Sequence, residues 1–249
     1  MNIKIEVVIS WKAKYHLIIL DEVDSTNSEA LRIARAAPTV NYIIVAKNQT
    51  NARGRNTKTW QSYPGNLHCS ILLYHNIDLQ YVPQLSFVTA VAVHKTINSL
   101  PSKSSNSIKL KWPNDLLINN KKAAGILLES ITINTRHYLV IGIGINIMES
   151  PIHIEQLTTS LFNENIEVME STKLLELLMS NFDKQVILWQ TYGFNRIRQY
   201  WIKRCDNLAQ LINVNYQGGR ITGFFKGIDQ HGRMKVLLNS GEIITLLAD

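Results

Sequence analysis

Residues 108–147 read IKLKWPNDLLINNKKAAGILLESITINTRHYLVIGIGINI, and this stretch decides the fold. Its apolar residues predict four β segments, at 108–112, 115–118, 123–133 and 137–147. Asn119-Asn120 and Asn134-Thr135 lie between segments and suit hairpin turns, because asparagine tolerates a left-handed backbone. The stretch therefore predicts strands that are neighbours in one sheet.

The rest of the chain alternates strands and helices. Before the stretch we predict strands at 15–20, 42–46 and 67–74, and helices at 30–37 and 83–100. The alternation of Ile3, Ile5, Val7 and Ile9 predicts one more strand, and Thr26 with Glu29 forms a capping-box pattern. After the stretch, helices are predicted at 171–189 and 194–204.

From Cys205 onward the sequence pattern changes to short β segments, which are broken by Gly218-Gly219, His231-Gly232 and Ser240-Gly241. This pattern suggests a small barrel of about 45 residues that docks on the main domain, being too small to be very stable alone. We therefore predict two domains, at 1–205 and 206–249.

Composition excludes several classes. The 249 residues are 45% hydrophobic and 18% charged, which is typical of a globular protein. No apolar run is long enough for a membrane span, and no signal peptide is expected. Cys69 and Cys205 form no disulfide framework, so we expect a cytoplasmic protein.

The positive charge is local. The net charge is +7, yet the segment between Glu29 and Asp78 has no acidic residue and holds six of the 26 Lys and Arg residues. A local excess around one loop suggests a small anionic ligand, whereas a nucleic-acid binder usually spreads its cations. The sequence has no Walker A motif, no Gly-x-Ser-x-Gly elbow and no histidine spacing typical of a metal site.

Four features could carry chemistry, and each has an ordinary alternative. Arg53-Gly54-Arg55, followed by Lys58 and Trp60, offers forked donors and an aromatic face, but could be a solvated loop. Lys111 to Asp115 with Lys122 could be an exposed hairpin. Asp24 to Asn27 could be a plain N-cap, and Gly142 to Asn146 a buried strand.

Their order along the chain resembles the biotin–protein ligases, short forms without an N-terminal DNA-binding domain. The resemblance rests on Asp24-Ser25-Thr26-Asn27, Gln49…Arg53-Gly54-Arg55…Trp60, Lys111-Trp112-Pro113-Asn114-Asp115, Lys122-x-x-Gly125-Ile126-Leu127-x-Glu129 and Gly142-Ile143-Gly144-Ile145-Asn146. It implies an α+β fold, in which helices flank a mixed β-sheet like that of class II aminoacyl-tRNA synthetases, with a small C-terminal SH3-like β-barrel.

The resemblance also implies a reaction. Biotin and ATP, with Mg²⁺, would give biotinoyl-5′-AMP, and biotin would pass to one lysine of a biotin carboxyl carrier domain of acetyl-CoA carboxylase or a related carboxylase. Lys122 and Arg55 would be catalytic. Biotin would bind at Ser25, Thr26, Asn27, Gln49, Arg53, Gly54, Arg55, Lys122, Gly142 and Gly144. ATP would bind at Arg55, Trp60, Lys111, Asn114, Asp115 and Asn146. No direct metal ligand is assigned.

The loop departs from the family pattern Gly-Arg-Gly-Arg-x-Gly-Arg, with Ala52, Thr57 and Lys58 replacing two glycines and the last arginine. A positive φ at Ala52 would introduce strain. Only 24 residues precede Ser25, so we expect no DNA binding. Strand edges could pair two copies of the chain into a homodimer. The alternative functions are a lipoate or octanoyl ligase or transferase, or a non-enzymatic nucleic-acid-binding protein.

Overall fold

The structure is a computed structural model that describes residues 14–56, 58–75, 79–152, 156–216 and 219–247. The strand predicted around Ile3 to Ile9, and Thr57 in the polar loop, lie outside these ranges. A large sheet carries the strands β1 (Tyr15–Val23), β2 (Asn41–Gln49), β3 (Leu67–His75), β4 (Ile108–Lys111), β5 (Asp115–Ile118), β6 (Lys121–Ile133) and β7 (Arg136–Ile145).

The strand order is β1-β2-β3-β7-β6-β5-β4. β1 and β2 are parallel, and every other neighbouring pair is antiparallel, so the sheet is mixed. Both predicted hairpins form, since Asn119 and Asn120 (φ 50° and 64°) and Asn134 and Thr135 (φ 47° and 68°) adopt the left-handed conformation. β7 lies in the middle, paired with β3 and β6 along its length.

Helices cover both faces of the sheet. The helices are α1 (Thr26–Arg35), α2 (Val82–Asn98), α3 (Ser171–Tyr192) and α4 (Phe194–Ile202). On one face Ala30 and Ala34 of α1 pack on Ile44, Leu72 and Val140. On the other face the larger core gathers residues of α2, α3 and α4, including the fully buried Phe182 and Trp201. The alternation of side chains along β2, β3 and β7 supplies both cores.

The C-terminal residues form a second sheet of β8 (Leu211–Tyr216), β9 (Gly219–Ile228), β10 (Met234–Leu238) and β11 (Ile243–Leu246), in the order β11-β10-β9-β8. This antiparallel sheet confirms a separate β unit. Within the described residues β8 and β11 are its edges, so a closed barrel and the domain boundary at 205/206 stay predictions.

The second sheet docks through its 228–232 turn. Arg198 of α4 donates to the Ile228 carbonyl at 2.7 Å, and the Trp112 indole donates to the Gly232 carbonyl at 3.2 Å. Gly232 lies so close to Phe87 of α2 that a Cβ there would be 2.5 Å from the ring. The turn therefore joins the second sheet to α2, α4 and the Trp112 turn.

The sequence-based assignment of elements is confirmed with shifts of a few residues at most boundaries. The capping box is wrong: Ser25, not Thr26, precedes the first helical residue, and Glu29 pairs with Arg32. No helix in the described part of the chain has the length and apolar character needed to cross a bilayer.

Candidate active site

A cavity of about 470 Å³ opens on the α1 side of the sheet. Its walls come from the start of α1, the polar loop after β2, the turn before β5, the first half of β6 and the end of β7. These are the segments that carry the four polar features of the sequence. The fold therefore brings together residues more than 100 positions apart in the chain.

The end of the cavity next to the start of α1 is lined by hydroxyl and amide groups. Ser25 and Thr26 are buried at the beginning of α1. Both the backbone N–H and the hydroxyl of Thr26 donate to Oε1 of Gln49, at 2.8 and 3.2 Å. The Ser25 hydroxyl makes no capping hydrogen bond to the helix. This end can therefore exchange several hydrogen bonds with a neutral polar ligand.

Asn27 forms part of the wall, but its amide is committed to protein partners. Its Oδ1 accepts from Ser70 at 2.5 Å, and its Nδ2 donates to Glu129 at 2.7 Å. Asn27 also fills the space above Gly142, where a Cβ atom would collide with the Asn27 amide. The side chain therefore shapes the cavity and links α1 to β3 and β6.

The described residues of the polar loop form a small hairpin over the cavity. Arg53 and Thr59 form an antiparallel bridge, and Gly54 N–H donates to the Lys58 carbonyl at 2.6 Å. Asn56 adopts φ 52° at its tip, whereas Ala52 has no positive φ, so the strain considered for Ala52 is absent. The replacement of glycine by Ala52 is therefore compatible with the loop conformation.

One arginine of this loop is tied down. Nη2 of Arg53 lies 2.9 Å from both carboxylate oxygens of Glu129, and Nη1 contacts the Ser28 hydroxyl. Glu129 thus holds the loop through Arg53 and the helix start through Asn27. Arg55 and Lys58 also line the cavity and add positive charge beside Arg53.

Trp60 lies on the glycines of β6 and β7. Its ring would collide with a Cβ at Gly144, and it also lies against Gly125. The indole Nε1 is buried and has no hydrogen-bond partner within the described structure. The ammonium of Lys122 is 5.5 Å from the ring centroid, within the range of a cation–π contact.

Lys122 reaches the cavity from the start of β6. Its Nζ lies 2.7 Å from Oδ1 of Asp115, and both side chains are mostly buried, with 21% and 14% exposed. The contact is an ion pair whose angles fall outside those of a hydrogen bond. Gln156 donates to the other carboxylate oxygen at 3.4 Å. Burial strengthens the field of this pair compared with a surface pair.

Two asparagines complete the wall near Lys122. Asn114, in the turn before β5, accepts a hydrogen bond from Ile126 N–H at its carbonyl, and its side-chain amide donates to the Ile126 carbonyl. Asn146 is 1% exposed, and its Nδ2 donates to the Thr159 carbonyl at 3.0 Å. Its Oδ1 is buried and has no hydrogen-bond partner among the described groups. The cavity therefore offers one acceptor whose partner must come from elsewhere.

The structure brings together nearly all of the predicted residues. Those that line the cavity are Ser25, Thr26, Asn27, Gln49, Arg53, Gly54, Arg55, Trp60, Asn114, Asp115, Lys122, Gly142, Gly144 and Asn146. Lys111 does not line it, because it lies on β4, the outermost strand, one strand beyond Asp115. The assignment of Lys111 to the site is therefore not supported by its position.

Sequence reasoning missed several wall residues. Pro151, Gln156 and Thr158 come from the segment after β7, which carries no recognisable motif. Cys69 also lines the cavity, and burial raises its thiol pKa to about 12, so it stays protonated and unreactive. Tertiary contacts reveal that this stretch belongs to the site, among them the parallel bridge between Thr158 and Lys122.

Comparisons with known proteins agree with this geometry. The model of the biotin/lipoate A/B protein ligase family matches residues 19–146. The chain is 31% identical over 223 residues to the bifunctional ligase/repressor BirA of Bacillus spizizenii, covering 87% of this chain and 68% of that protein. It is 32% identical over 222 residues to the biotin–[acetyl-CoA-carboxylase] ligase of Paracoccus denitrificans, covering 87% and 92%.

A solved structure resembles the chain over nearly its whole length. The biotin protein ligase from Aquifex aeolicus, in complex with biotin and ATP, superposes with a TM-score of 0.78 at 27% identity. The match covers 93% of this chain and 95% of that chain, so it includes both sheets.

Proposed function

The chain belongs to the biotin/lipoate A/B protein ligase family, and from this premise we propose how its cavity activates biotin and transfers it to protein. The enzyme is an ATP-dependent, AMP-forming biotin ligase. The biotin carboxylate attacks the α-phosphate of ATP, and pyrophosphate leaves. The ε-amine of a carrier lysine then attacks the acyl carbon of biotinoyl-5′-AMP, and AMP leaves as the amide forms.

One observation carries the assignment of roles. A single cavity joins a neutral end, made by Ser25, Thr26 and Gln49, to a cationic end, made by Lys122 and the arginine loop. Biotin has the same polarity, with a neutral ureido ring at one end and a carboxylate at the other. Two anions, the carboxylate and the triphosphate, can approach each other only where cations offset their repulsion.

The neutral end suits the ureido ring. Since Oε1 of Gln49 already accepts from Thr26, the group that Gln49 can offer a ligand is its Nε2 donor, which matches the ureido carbonyl. The Ser25 hydroxyl can both donate and accept. A ligand lacking these partners would leave buried polar groups unsatisfied, which costs about 1–3 kcal/mol for each group.

At the cationic end, Lys122 stabilises charge in both half-reactions. Its Nζ can contact the carboxylate and the α-phosphate, and later the AMP that leaves. The ion pair with Asp115 keeps the ammonium pointing into the cavity before substrates arrive. Arg55 supplies a forked donor set for phosphate oxygens. The ordered loop covers the intermediate and excludes the water that would hydrolyse it.

The nucleotide lies on the side of Trp60 and the two asparagines. The indole offers a flat apolar surface, and the unsatisfied Oδ1 of Asn146 and the amide of Asn114 offer polar contacts. Lys111 is outside the cavity, so we do not assign it a contact with ATP.

Mg²⁺ fits this site as the ion that ATP brings. The described residues contain no group of three metal-ligating side chains, but Mg²⁺ bound to a nucleotide needs only one or two protein oxygens. Asp115 and Oδ1 of Asn146 are the oxygens that would hold it. When bound, Mg²⁺ offsets the charge of the phosphates.

The macromolecular substrate that we propose is a biotin carboxyl carrier domain, the partner implied by a biotin–[acetyl-CoA-carboxylase] ligase. A homodimer and a cytoplasmic location remain proposals. The outer part of β6 offers an edge for a dimer, because β7 pairs with it up to Ile133 whereas β5 pairs with it only from Lys121 to Gly125. The absence of DNA binding also stays a prediction.

The decisive test is incubation with biotin, MgATP and a carrier domain, followed by mass spectrometry. We expect a biotin-sized mass gain on one lysine, and none when ATP is omitted. Because the family also includes lipoate ligases, a parallel reaction with lipoate is required. Modification by lipoate but not by biotin would overturn the substrate assignment.

A further inference from the structure

Thr159 lies behind the cavity and contacts two of its residues through its backbone. Its N–H donates to the carbonyl of Lys122 at 2.9 Å. Its carbonyl accepts from Nδ2 of Asn146 at 3.0 Å. One residue outside the cavity wall therefore connects the strand that carries the ammonium to the asparagine on the nucleotide side.

The side chain of Thr159 is held in turn by a buried carboxylate. Its hydroxyl donates to Oε1 of Glu164 at 2.6 Å, and the two residues are 1% and 6% exposed. Glu164 also accepts from Asn119 at 2.6 Å and forms an ion pair with Lys121. Asn119 lies in the β5–β6 turn and Lys121 begins β6, so Glu164 joins this hairpin to Thr159.

The segment around Thr159 has no helix or sheet of its own to fix it. It makes an isolated bridge in which Lys122 N–H donates to the Leu157 carbonyl at 2.9 Å and Thr159 N–H donates to Lys122. Backbone hydrogen bonds from Leu161 and Phe162 to the Asn146 and Ile147 carbonyls, both 2.9 Å, hold it further along. At Thr159 itself the hydroxyl–carboxylate contact is buried, and a charged acceptor makes it strong.

The position of the Thr159 backbone also fixes the orientation of the Asn146 amide. Because Nδ2 donates to the Thr159 carbonyl, Oδ1 must face the other way, where it is buried without a described partner. A shift of Thr159 would let the amide rotate and present a donor in place of an acceptor. The same shift would move the Lys122 backbone.

We propose that Thr159 and Glu164 are positioning residues of the ligase reaction, which orient Asn146 and Lys122 without touching a substrate. The proposal rests on the proposed function of the cavity. It predicts that losing the Thr159 hydroxyl impairs the nucleotide side of the reaction more than biotin binding, because Ser25, Thr26 and Gln49 lie on other elements.

The test compares Thr159→Val, Thr159→Ser and Glu164→Gln with the wild-type chain. In biotin-dependent ATP–pyrophosphate exchange, we expect Thr159→Val to raise the KM for ATP and lower kcat, each by roughly ten-fold. The calorimetric Kd for biotin should change less than the KM for ATP. Thr159→Ser should restore the rate, and Glu164→Gln, which keeps an acceptor oxygen but loses the charge, should fall between them.

Thr89→Val is the matched control. Thr89 is fully buried, and its hydroxyl donates to the Leu85 carbonyl at 2.7 Å inside α2, away from the cavity. The same substitution there removes a buried hydrogen bond but should leave both kinetic parameters at their wild-type values. A Thr159→Val variant with wild-type KM and kcat, or a Thr159→Ser variant as impaired as Thr159→Val, would overturn the proposal.

Hydrogen exchange tests the same idea without any activity. In Thr159→Val, amide exchange in the peptides around Lys122 and Asn146 should be faster than in the wild type, with no such change in Thr89→Val. Unchanged exchange would also count against the positioning role. If the wild-type chain forms no biotinoyl-5′-AMP, the proposed function fails. Hydrogen exchange alone then tests whether Thr159 holds Lys122 and Asn146 in position.

Discussion

Gly144 and Trp60 are in such close contact that a Cβ on Gly144 would lie 2.5 Å from Cζ2 of the indole. Any larger residue must displace the ring, the strand or both. Gly144 is on β7, in the centre of the sheet, where its neighbours on β3 and β6 prevent the backbone from moving. The ring is therefore the part that would shift.

Gly144→Ala should weaken nucleotide binding. Overpacking of this kind costs about 1–3 kcal/mol, so we expect the KM for ATP to rise roughly ten-fold as Trp60 leaves the strand. ATP–pyrophosphate exchange measures this effect. Gly219→Ala serves as the control, since a Cβ there meets only the Tyr216 carbonyl at 3.7 Å. Equal ATP affinity in both variants would show that Trp60 does not contribute to the nucleotide site.

Lys122→Met should remove most adenylate formation, by a factor of roughly 10²–10³, while the fold survives. The reason is the loss of the ammonium that we propose contacts both reacting anions. Lys109→Met is a matched control, because Lys109 also pairs with a partly buried carboxylate, Asp206, at 3.4 Å. The measurement is single-turnover formation of biotinoyl-5′-AMP, and near-normal turnover by Lys122→Met would contradict the role.

Glu129→Gln should loosen the loop without disturbing Asn27, because glutamine keeps an acceptor for the Asn27 amide but loses the charge that holds Arg53. We expect biotinoyl-5′-AMP to dissociate faster, by roughly ten-fold, in a chase with unlabelled biotin. Glu29→Gln is a close control, since the Glu29–Arg32 pair has the same 28% exposure of the carboxylate. Identical dissociation rates in the two variants would show that the Arg53–Glu129 ion pair does not hold the loop closed over the intermediate.

His94 should make the protein sensitive to acid. Burial lowers its pKa from 6.5 to about 4, and nearby Arg204 and Lys95 act in the same direction, although the Ile108 carbonyl opposes them. Between these two pH values the unfolded chain binds more protons than the folded one, so the free energy of unfolding falls as the pH falls, by up to about 3 kcal/mol.

Urea denaturation at pH 7, 5.5 and 4.5 measures this effect. His94→Gln should show a flatter pH dependence than the wild type in that range. His231→Gln, in which the replaced side chain is exposed, should keep the wild-type slope. A wild-type slope in His94→Gln would show that another group is responsible.

The strands and the turns of the large sheet could be predicted because their signals are local. Asn119-Asn120 and Asn134-Thr135 mark turns by their tolerance of positive φ, and the apolar runs between them have the length of strands. The polar site residues were found as an ordered set of short motifs, and the fold gathers them at one cavity.

What the sequence could not show are contacts between segments without a motif. The hold of Glu129 on Arg53 and that of Thr159 on Lys122 join residues 76 and 37 positions apart in the chain, and nothing in the local pattern indicates such pairs. The capping box failed because Ser25 takes the N-cap position, while Thr26 is already inside the helix and its hydroxyl donates to Gln49 on β2. Lys111 lies opposite Asp115 in the β4–β5 hairpin but does not line the cavity, and its sequence proximity to Asp115 could not show this.

The hydrogen bond from Trp112 to the Gly232 carbonyl determines what a C-terminal truncation of this enzyme would do. Trp112 stands two residues before Asn114, so the C-terminal unit supports the turn that carries Asn114 and Asp115 of the cavity wall. Truncation of the chain before β8 would remove this hydrogen bond and also expose the part of Phe87 that Gly232 covers. A compact biotinylation tool built on this scaffold would have to retain its tail.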